Sequence, residues 1–565
     1  MSDTLKSLPC RLRALSIPVS ILCASALLPG CSLLYDLSTS QCSVNADCAS
    51  VGEGLICGSE HFCQIDNSGC ATHIDCLDRQ DNIGESACIK DQGKARGECV
   101  TLTTEDCPQL LPLGQADVEL RSGDPVIFGA FTNVTLTARL YNYDLAAKEF
   151  QNKNGGIPTQ GGTRPVLILA CNGNATEGDP SGGFAASLDR SMDHLIKLHV
   201  PGVLSSLEAA DLKRVFEEKG RDAKMFFMSS QESDSSLNTL LDSGLVWQVL
   251  PGGTSLAKAY KPVVDRTLAF LQSKGSLTGT ARIAQVTTPD IHLLADMSAI
   301  VQSDPPDGIV FNGMSVLENL RNFNFRGFTT PSTIADGMAD LSEQVNSLLE
   351  FKPHIIISTG TTEFLTKIVP ALEQQWDSRA AGQAHPFYIL SPYQYNRSQT
   401  TSLLTSFPTV QQRLIGLNAP AATNNTLYSQ YLSAFTQAYP SVVNYEGYEN
   451  FYDSAYYLLY AASAAAPTLT DGSSIVVGMG RLLAGEAHNV GTLDMSYALG
   501  ALGRSLSITL NGTMGPPNFN VVTGGRDDVG SVWCIDTTKK TQSDVLSYRA
   551  SDGTMQGTFP CFADY

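Results

Sequence analysis

The chain has 565 residues and a net charge of −19, with 16% charged and 43% hydrophobic residues. A chain of this length and hydrophobicity folds into two or three domains rather than one. The excess of acidic residues argues against nucleic acid or an anionic lipid surface as a partner, because both bind to basic patches.

Residues 1–30 have the pattern of an export signal. A mostly apolar run, residues 14–28, follows three basic residues, Lys6, Arg11 and Arg13. The run is shorter than a membrane-spanning helix and is typical of a signal peptide. It ends in Leu28-Pro29-Gly30-Cys31, which resembles the lipobox of bacterial lipoproteins. The resemblance implies that Cys31 is lipidated and anchors the mature protein to a membrane of the cell envelope, outside the cytoplasm. The alternative is an ordinary secretory signal with a chance cysteine.

Nine of the 15 cysteines fall between residues 42 and 107, and eight of these form two similar groups. Each group begins Cys-x5-Cys with an aspartate before the second cysteine, which indicates a duplicated small unit. Units this small need covalent staples, and disulfides persist in exported proteins. We therefore predict a disulfide-stapled stalk over residues 31–119, with three pairings open in each group. The groups are Cys42, Cys48, Cys57, Cys63 and Cys70, Cys76, Cys88, Cys99.

Four further cysteines lie outside these groups. Cys534 and Cys561 are both near the C-terminus and are predicted to pair, which leaves Cys107 with Cys171. A zinc site is the alternative for the cysteine-rich region, but it would require Cys-x2–4-Cys spacings that the region lacks. We expect neither a metal nor a cofactor.

From residue 120 onward, short apolar segments alternate with helical patterns. Continuous apolar strands between helices are typical of parallel sheets covered on both faces, so an α/β fold is expected. One helix should end at Gly155-Gly156, where a left-handed conformation is favoured. The predicted strands are 126–131, 166–170, 224–228, 281–286, 308–311, 354–357 and 386–390, and the first two helices are 140–154 and 184–198.

Small hydroxyl residues gather where four strands are predicted to end, at residues 204–207, 228–233, 358–363 and 391–395. Ligands of α/β proteins bind at the carboxyl ends of the strands. Hydroxyls and free backbone N–H groups at helix starts suit a carboxylate or another anion. The alternative is that these serines and threonines only cap helices.

Four stretches of this domain carry recognisable motifs. They are 147–157, which ends in Asn-Lys-Asn-Gly-Gly-Ile; 203–206, Val-Leu-Ser-Ser; 351–357, which begins Phe-Lys-Pro-His; and 448–460, which contains Tyr-Asp-Ser-Ala. Together they resemble the type-1 periplasmic binding protein family, to which the leucine/isoleucine/valine-binding proteins belong. The resemblance covers about residues 124–537, with the motifs in the family's order.

The resemblance implies two Rossmann-like lobes joined by a hinge, within a domain over residues 120–565. The first lobe would comprise residues 120–248 and 419–514. The second would comprise residues 249–418 and 515–565.

The resemblance also implies a set of ligand-binding residues between the lobes. They are Ser205, Ser206, Ser230, Gln231, Ser233, Thr361, Thr362, Tyr393 and Glu446. Three features depart from the family: residues 287–293 lack its Asp-x-x-Tyr-Gly loop, Tyr393 stands where amino-acid binders place an acid, and Gln231-Glu232 replace small residues. Glu232, Glu363 or Glu446 would be the substitute acid.

The sequence contains no nucleophile elbow, phosphate-binding loop or zinc-protease motif, so we do not expect an enzyme. The resemblance implies an extracytoplasmic solute-binding protein that captures a small polar ligand, of the amino acid, amide or carboxylate class, for an ABC permease or a signalling partner. The alternative is an envelope lipoprotein that uses the same fold to contact another protein, for example in cell-wall synthesis.

Overall fold

A computed structural model of the protein divides into two units, residues 1–68 and residues 69–565. The structure describes residues 41–562 except 52–54, 66–68, 78–84, 92–93, 95, 136, 160, 174–182, 290, 329–333, 396, 419–425, 444–446, 467, 527–528, 537, 539–540, 550–552 and 558. The predicted signal peptide, the predicted lipidation site Cys31 and the candidate residue Glu446 lie outside the described residues.

The first unit carries the first cysteine group on a short hairpin. Helix α1 (Asn45–Cys48) precedes the antiparallel strands β1 (Leu55–Cys57) and β2 (Cys63–Ile65). Disulfides join Cys42 to Cys57 and Cys48 to Cys63. The Asp47 carboxylate accepts the N–H groups of Ser43 and Val44 at 2.7 and 3.0 Å, which holds the turn at the start of α1.

The second cysteine group repeats this arrangement within the second unit. Helix α2 (His73–Leu77) precedes the antiparallel strands β3 (Ser86–Ile89) and β4 (Glu98–Thr101). Disulfides join Cys70 to Cys88 and Cys76 to Cys99, and Asp75 accepts two N–H groups as Asp47 does. Each group therefore pairs its first cysteine with its third and its second with its fourth. The other two predicted disulfides, Cys107–Cys171 and Cys534–Cys561, are also confirmed.

Five parallel strands and one antiparallel edge strand form the first sheet. Its order is β12-β11-β10-β6-β9-β5, and β5 alone runs antiparallel. In chain order the strands are β5 (Gln109–Leu111), β6 (Val126–Thr132), β9 (Val166–Asn172), β10 (Gly202–Ser205), β11 (Phe226–Ser229) and β12 (Val246–Gln248), with a separate hairpin of β7 (Ile157–Thr159) and β8 (Gly162–Arg164).

The second sheet repeats the same parallel order and adds three antiparallel strands. Its order is β16-β13-β17-β18-β19-β22-β23-β24. The strands are β13 (Ile283–Thr287), β16 (Phe323–Gly327), β17 (Ile355–Thr359), β18 (Phe387–Leu390), β19 (Leu414–Asn418), β22 (Val529–Asp536), β23 (Thr541–Arg549) and β24 (Met555–Gly557). Two small pairs lie outside it, β14 (Val310–Phe311) with β15 (Met314–Ser315), and β20 (Glu486–Asn489) with β21 (Ile508–Asn511).

Helices pack on the sheets, as the predicted α/β fold requires. Gly155 ends α4 with a φ of +73°, which confirms the predicted left-handed cap. All described residues of α14 are buried, so this tyrosine-rich helix belongs to the core. A π-helical turn, Phe216–Gly220, extends α6. The helices are α3 (Ala116–Ser122), α4 (Ala138–Asn154), α5 (Gly183–Lys197), α6 (Ala209–Val215), α7 (Gly253–Ala257), α8 (Tyr260–Ser273), α9 (His292–Gln302), α10 (Ile334–Phe351), α11 (Val369–Arg379), α12 (Arg397–Ser406), α13 (Thr426–Ala438), α14 (Glu449–Ala465), α15 (Gly472–Gly480) and α16 (Met495–Gly503).

One predicted strand of the parallel sheets is replaced by another. Residues 308–311 contribute only the short strand β14 of a hairpin, and β16 takes the edge position beside β13. Only Phe323 of β16 is buried and the other four residues are half-buried or exposed, because an edge strand has a neighbour on one side only. A search for continuous apolar runs therefore misses β16.

Packing continues from the second cysteine group into the first sheet. Ala87, Val100 and Leu102 share one buried cluster with Leu188 and Met192 of α5. Strand β5 joins the first sheet beside β9, and the Cys107–Cys171 disulfide links the same two segments. The chain on both sides of residue 119 therefore contributes to one hydrophobic core.

None of the helices in the described part of the chain has both the length and the hydrophobicity needed to cross a membrane.

Candidate functional site

The two parallel sheets have the same strand order, which places a switch point in each. In the first sheet β6 lies between β9 and β10, and in the second β13 lies between β16 and β17. The chain leaves the two strands at such a point toward opposite faces, so a crevice opens at their carboxyl ends. Residues 205–206 follow the switch point of the first sheet, and residues 359–363 follow that of the second.

The hydroxyls of Ser205 and Ser206 already have partners within the protein. The N–H and the Oγ of Ser206 both donate to the carbonyl oxygen of Phe131, at 2.8 and 3.0 Å. The Oγ of Ser205 accepts the N–H of Leu207 at 3.2 Å. Both serines are buried, and their hydrogen bonds fix the loop after β10 against the end of β6.

Ser230 ties the end of β11 to two helices. Its Oγ lies 2.6 Å from the hydroxyl of Tyr143 on α4 and 2.7 Å from the Oγ of Ser454 on α14. Gln231 donates from Nε2 to the carbonyl oxygen of Ser206 at 2.7 Å, so the loops after β10 and β11 are joined. Ser233 is buried, and its carbonyl accepts the N–H of Gly253 at 2.8 Å.

Glu232 places a carboxylate among three backbone N–H groups at this sheet edge. Its Oε2 accepts from Ala209, the first residue of α6, at 2.7 Å. Its Oε1 accepts from Ser233 at 2.9 Å and from Asp234 at 3.3 Å. Burial raises the pKa of Glu232, whereas the N–H groups of Ser233 and Ala209 act in the opposite direction.

Arg139 brings a positive charge to the same edge of the first sheet. It lies in the first turn of α4, seven residues after the end of β6. Its guanidinium lies 5.9 Å from the ring centre of Tyr448 and 5.6 Å from that of Phe451. Aromatic rings attract a cation held over their faces, so the two rings help to position this charge.

The facing residues of the second sheet form a connected set of loops. The Oγ1 of Thr361 donates to Glu363 at 2.5 Å, and the N–H of Thr361 donates to Thr288 at 3.2 Å. Gln394 donates to the Oγ of Ser358 at 2.6 Å and to the carbonyl of Thr361 at 2.9 Å. Thr362 is partly exposed beside Thr361. The loops after β17 and β18 therefore act as one surface.

The pKa of Tyr393, in the loop after β18, responds to charges at the edge of the first sheet. The side chain of Tyr393 is 47% exposed. Burial of the remainder raises the pKa of Tyr393 to about 12, and the carboxylates of Glu232, Glu208 and Asp234 add to the rise. Those three acids follow β10 and β11 in the first sheet, so their charge acts on Tyr393 from the carboxyl edge of that sheet.

Direct contacts also join the two edges. Ser235 donates to the Asp296 carboxylate on α9 at 2.8 Å. Arg526, which is 2% exposed, donates to the carbonyls of Val249, Met514 and Pro516 at 3.2, 3.1 and 2.7 Å. Val249 follows β12, the last strand of the first sheet, and residues 514–526 connect β21 to β22 of the second sheet, so Arg526 ties these two connections together.

The structure brings eight of the nine candidate ligand residues to these facing edges, and Glu446 lies outside the described residues. Arg139, Glu208 and Asp234 were not among the candidates. A search restricted to small hydroxyl residues passes over them, although each lies within seven residues after a strand of the first sheet. Extending the search to every charged residue that follows a parallel strand would have found all three.

No protein-family model matches the sequence, and no characterised protein matches it either. Among solved structures the chain is similar to a fatty acid ABC transporter substrate-binding protein from Thermomonospora curvata, with 12% identity, 78% of this chain and 94% of that chain covered, and a TM-score of 0.47.

Two further similar structures come from other organisms. A leucine-binding protein from Thermotoga maritima has 12% identity, with 75% and 99% of the two chains covered and a TM-score of 0.48. A solute-binding protein of an ABC transporter from Rhodopseudomonas palustris, in complex with 3,4-dihydroxybenzoic acid, has 11% identity, with 75% and 98% covered and a TM-score of 0.49. The compounds named in these descriptions, a fatty acid, leucine and 3,4-dihydroxybenzoic acid, refer to those three proteins.

Proposed function

We propose that the protein is a lipid-anchored solute-binding protein that holds a small polar ligand between its two parallel sheets. The observation that carries this proposal is the meeting of the carboxyl edges of the two sheets, where Ser235, after β11, donates to Asp296 on α9, after β13, at 2.8 Å. The acids Glu208, Glu232 and Asp234 lie on the first edge and Tyr393 on the second. A crevice at each switch point is where α/β folds bind ligands. A ligand that contacts both edges would favour a closed arrangement, because its binding energy depends on both.

The side chains of this cleft are suited to binding a ligand rather than to catalysing a reaction. The hydroxyls of Ser205, Ser206 and Ser230 are engaged in hydrogen bonds that hold loops in place. Exposed groups on the two edges, such as Tyr393 and Thr362, provide hydrogen bonds and an aromatic surface for a ligand. The ligand would be passed to a membrane permease or to a signalling partner.

A thermal-shift screen of the mature protein tests this function. Amino acids, amides, small carboxylates, amines and sugars are added separately, and a binding ligand at about one hundred times its Kd should add about 3 kcal/mol of stability. Tyr393→Ala should weaken the ligand found by about tenfold or more, since it removes a ring from the cleft. The matched control is Tyr497→Ala, because Tyr497 on α16 is 74% exposed and lies outside the cleft. Equal affinity of the two variants, or no ligand across the panel, would contradict solute capture.

The lipid anchor is tested separately at Cys31. Cells that express the full chain are labelled with a radioactive fatty acid, and the label should appear in the wild-type protein and be absent from Cys31→Ser. The variant should also move from the membrane fraction to the soluble envelope fraction. Equal labelling of both proteins, or none in the wild type, would show that the cysteine is not the attachment point.

A second candidate function is contact with another envelope protein, and one observation favours it. A cavity of about 700 Å³ lies between the second cysteine group and the start of β6, and its lining includes Lys90, Arg121, Arg164 and Asp124. The cations of this lining outnumber its aspartate, although Arg164 pairs with Asp124 and Arg121 pairs with Asp117, each at 3.2 Å. If Tyr393→Ala restores a deletion strain as fully as the wild-type protein does, envelope contact is favoured over solute capture.

A further inference from the structure

The N–H groups around Glu232 form a place that suits an anion. Ala209 begins a helical segment that runs through α6 and the π-helical turn to Gly220. The first N–H groups of a helix have no partner within the helix and carry partial positive charge. The N–H groups of Ser233 and Asp234 converge on the same point from the loop after β11.

In this chain the place is filled by the protein itself. The Glu232 carboxylate reaches the N–H of Ala209 across 23 residues of sequence and takes all three donors. Within the described part of the chain Glu232 makes no ion pair with a lysine or arginine, so its negative charge is stabilised by the dipoles of the three backbone N–H groups. The carboxylate lies where the two sheet edges meet, since Ser235, three residues further along the same loop, donates to Asp296 on α9 at 2.8 Å.

We propose that Glu232 is an internal substitute for a ligand anion and that it determines the specificity of the cleft by excluding carboxylates and phosphates from this edge. This inference rests on the proposed function of the cleft. With the N–H donors occupied, the exposed carboxylate of Glu208, next to Ala209, is placed to attract the ammonium or N–H groups of a ligand. An anionic group on the same ligand would have Arg139 as its partner instead.

Chemical rescue by small carboxylates tests the proposal directly. Glu232→Ala removes the carboxylate and vacates its volume, so formate or acetate can reach the three N–H groups. We expect the Tm of this variant to be below that of the wild type and to rise in a saturable way with formate, by more than in sodium chloride of equal ionic strength. The apparent affinity for formate should exceed that of the wild type by at least about tenfold, since several charge-assisted hydrogen bonds are regained.

Glu232→Gln is the matched control, because it keeps the volume of the side chain and should give no rescue. Glu232→Ser, whose side chain is too short to reach the N–H of Ala209, provides a second vacated variant. If neither vacated variant folds in chloride, both are refolded in formate, where recovery of native circular dichroism supports the proposal and failure to recover overturns it.

Two further results would overturn the proposal. One is a folded Glu232→Ala or Glu232→Ser protein with no formate-specific rise in Tm. The other is a wild-type protein that binds formate as tightly as the variants do. Neither result depends on the natural ligand, so the failure of this inference is distinguishable from a failure of the ligand screen on the wild-type protein.

Discussion

Replacing Glu373 with alanine is expected to lower the free energy of unfolding by about 3–5 kcal/mol, since it would leave a buried arginine without its partner. The Glu373 carboxylate on α11 accepts two hydrogen bonds from Arg413, at 2.9 and 2.7 Å, and one from the hydroxyl of Tyr388 at 2.6 Å. Glu373 is 9% exposed and Arg413 is 5% exposed. The pair joins α11 to β18 and to the start of β19, and the loop at residues 391–395 directly follows β18. Urea denaturation followed by circular dichroism measures the loss.

The matched control for this prediction is an exposed ion pair on α8. Lys261 and Asp265 lie 2.8 Å apart with their side chains 28% and 45% exposed, and pairs of this kind contribute about 0.5 kcal/mol or less. Asp265→Ala should therefore change stability little. Similar losses in Glu373→Ala and Asp265→Ala would show that the buried pair is not important for the fold.

The same pair predicts acid sensitivity with a definite sign. Burial alone would raise the pKa of Glu373, but the hydrogen bonds and charge of Arg413 outweigh it and leave the pKa below the ordinary value of 4.5. A lowered folded-state pKa contributes stability that is present above pH 4.5 and is lost as the pH falls toward the folded-state value. The difference in stability between wild type and Glu373→Ala should therefore shrink as the pH is lowered below 4.5.

Asp453→Ala is expected to cost about 2–4 kcal/mol, because buried donors lose their acceptor. Asp453 on α14 is 0% exposed and accepts the N–H and Oγ1 of Thr513 at 2.8 and 2.9 Å and the N–H of Met514 at 3.0 Å. These bonds hold the start of the segment 513–526. Its last residue, Arg526, donates to the carbonyl of Val249. Denaturation measures the stability change, and hydrogen exchange at Thr513 and Met514 shows whether the turn opens.

Two substitutions calibrate the result at Asp453. Asp453→Asn keeps one acceptor oxygen and should lose about half as much stability. Asp471, a partly exposed N-cap of α15, accepts the N–H groups of Ser473 and Ser474, and Asp471→Ala should cost about 1 kcal/mol. If Asp453→Ala costs no more than Asp471→Ala, the turn at residue 513 does not depend on Asp453.

Much of the architecture follows from local patterns. Continuous apolar runs predict β6 and β9 because both faces of a central parallel strand are buried. The paired glycines after α4 predict its end, and Gly155 adopts the left-handed conformation expected there. Strand β16 is an edge strand with one buried residue, so its membership in the second sheet appears only when the neighbouring strand is known.

The roles of the site residues depend on contacts that no local pattern reveals. The hydroxyls of Ser205 and Ser206 fit a ligand site and a loop cap equally well in sequence, and in the folded chain they bond to Leu207 and Phe131. The carboxylate of Glu232, in the loop after β11, accepts the N–H of Ala209 at the start of α6, 23 residues earlier in the chain. Disulfide pairing likewise required the fold, since four cysteines admit three pairings.

The Cys107–Cys171 disulfide also determines how the protein would bear a mechanical load. A pull applied to the N-terminal chain passes through the disulfides of the second cysteine group and arrives at residue 107. There a covalent bond transfers it to Cys171 on β9, which lies one position inside the edge of the sheet. Strand β5 begins at Gln109, beyond this bond, so its hydrogen bonds with β9 are not unzipped by the pull. Tension on the N-terminal chain therefore reaches the first sheet through a covalent bond to β9 rather than through the hydrogen bonds of its edge strand.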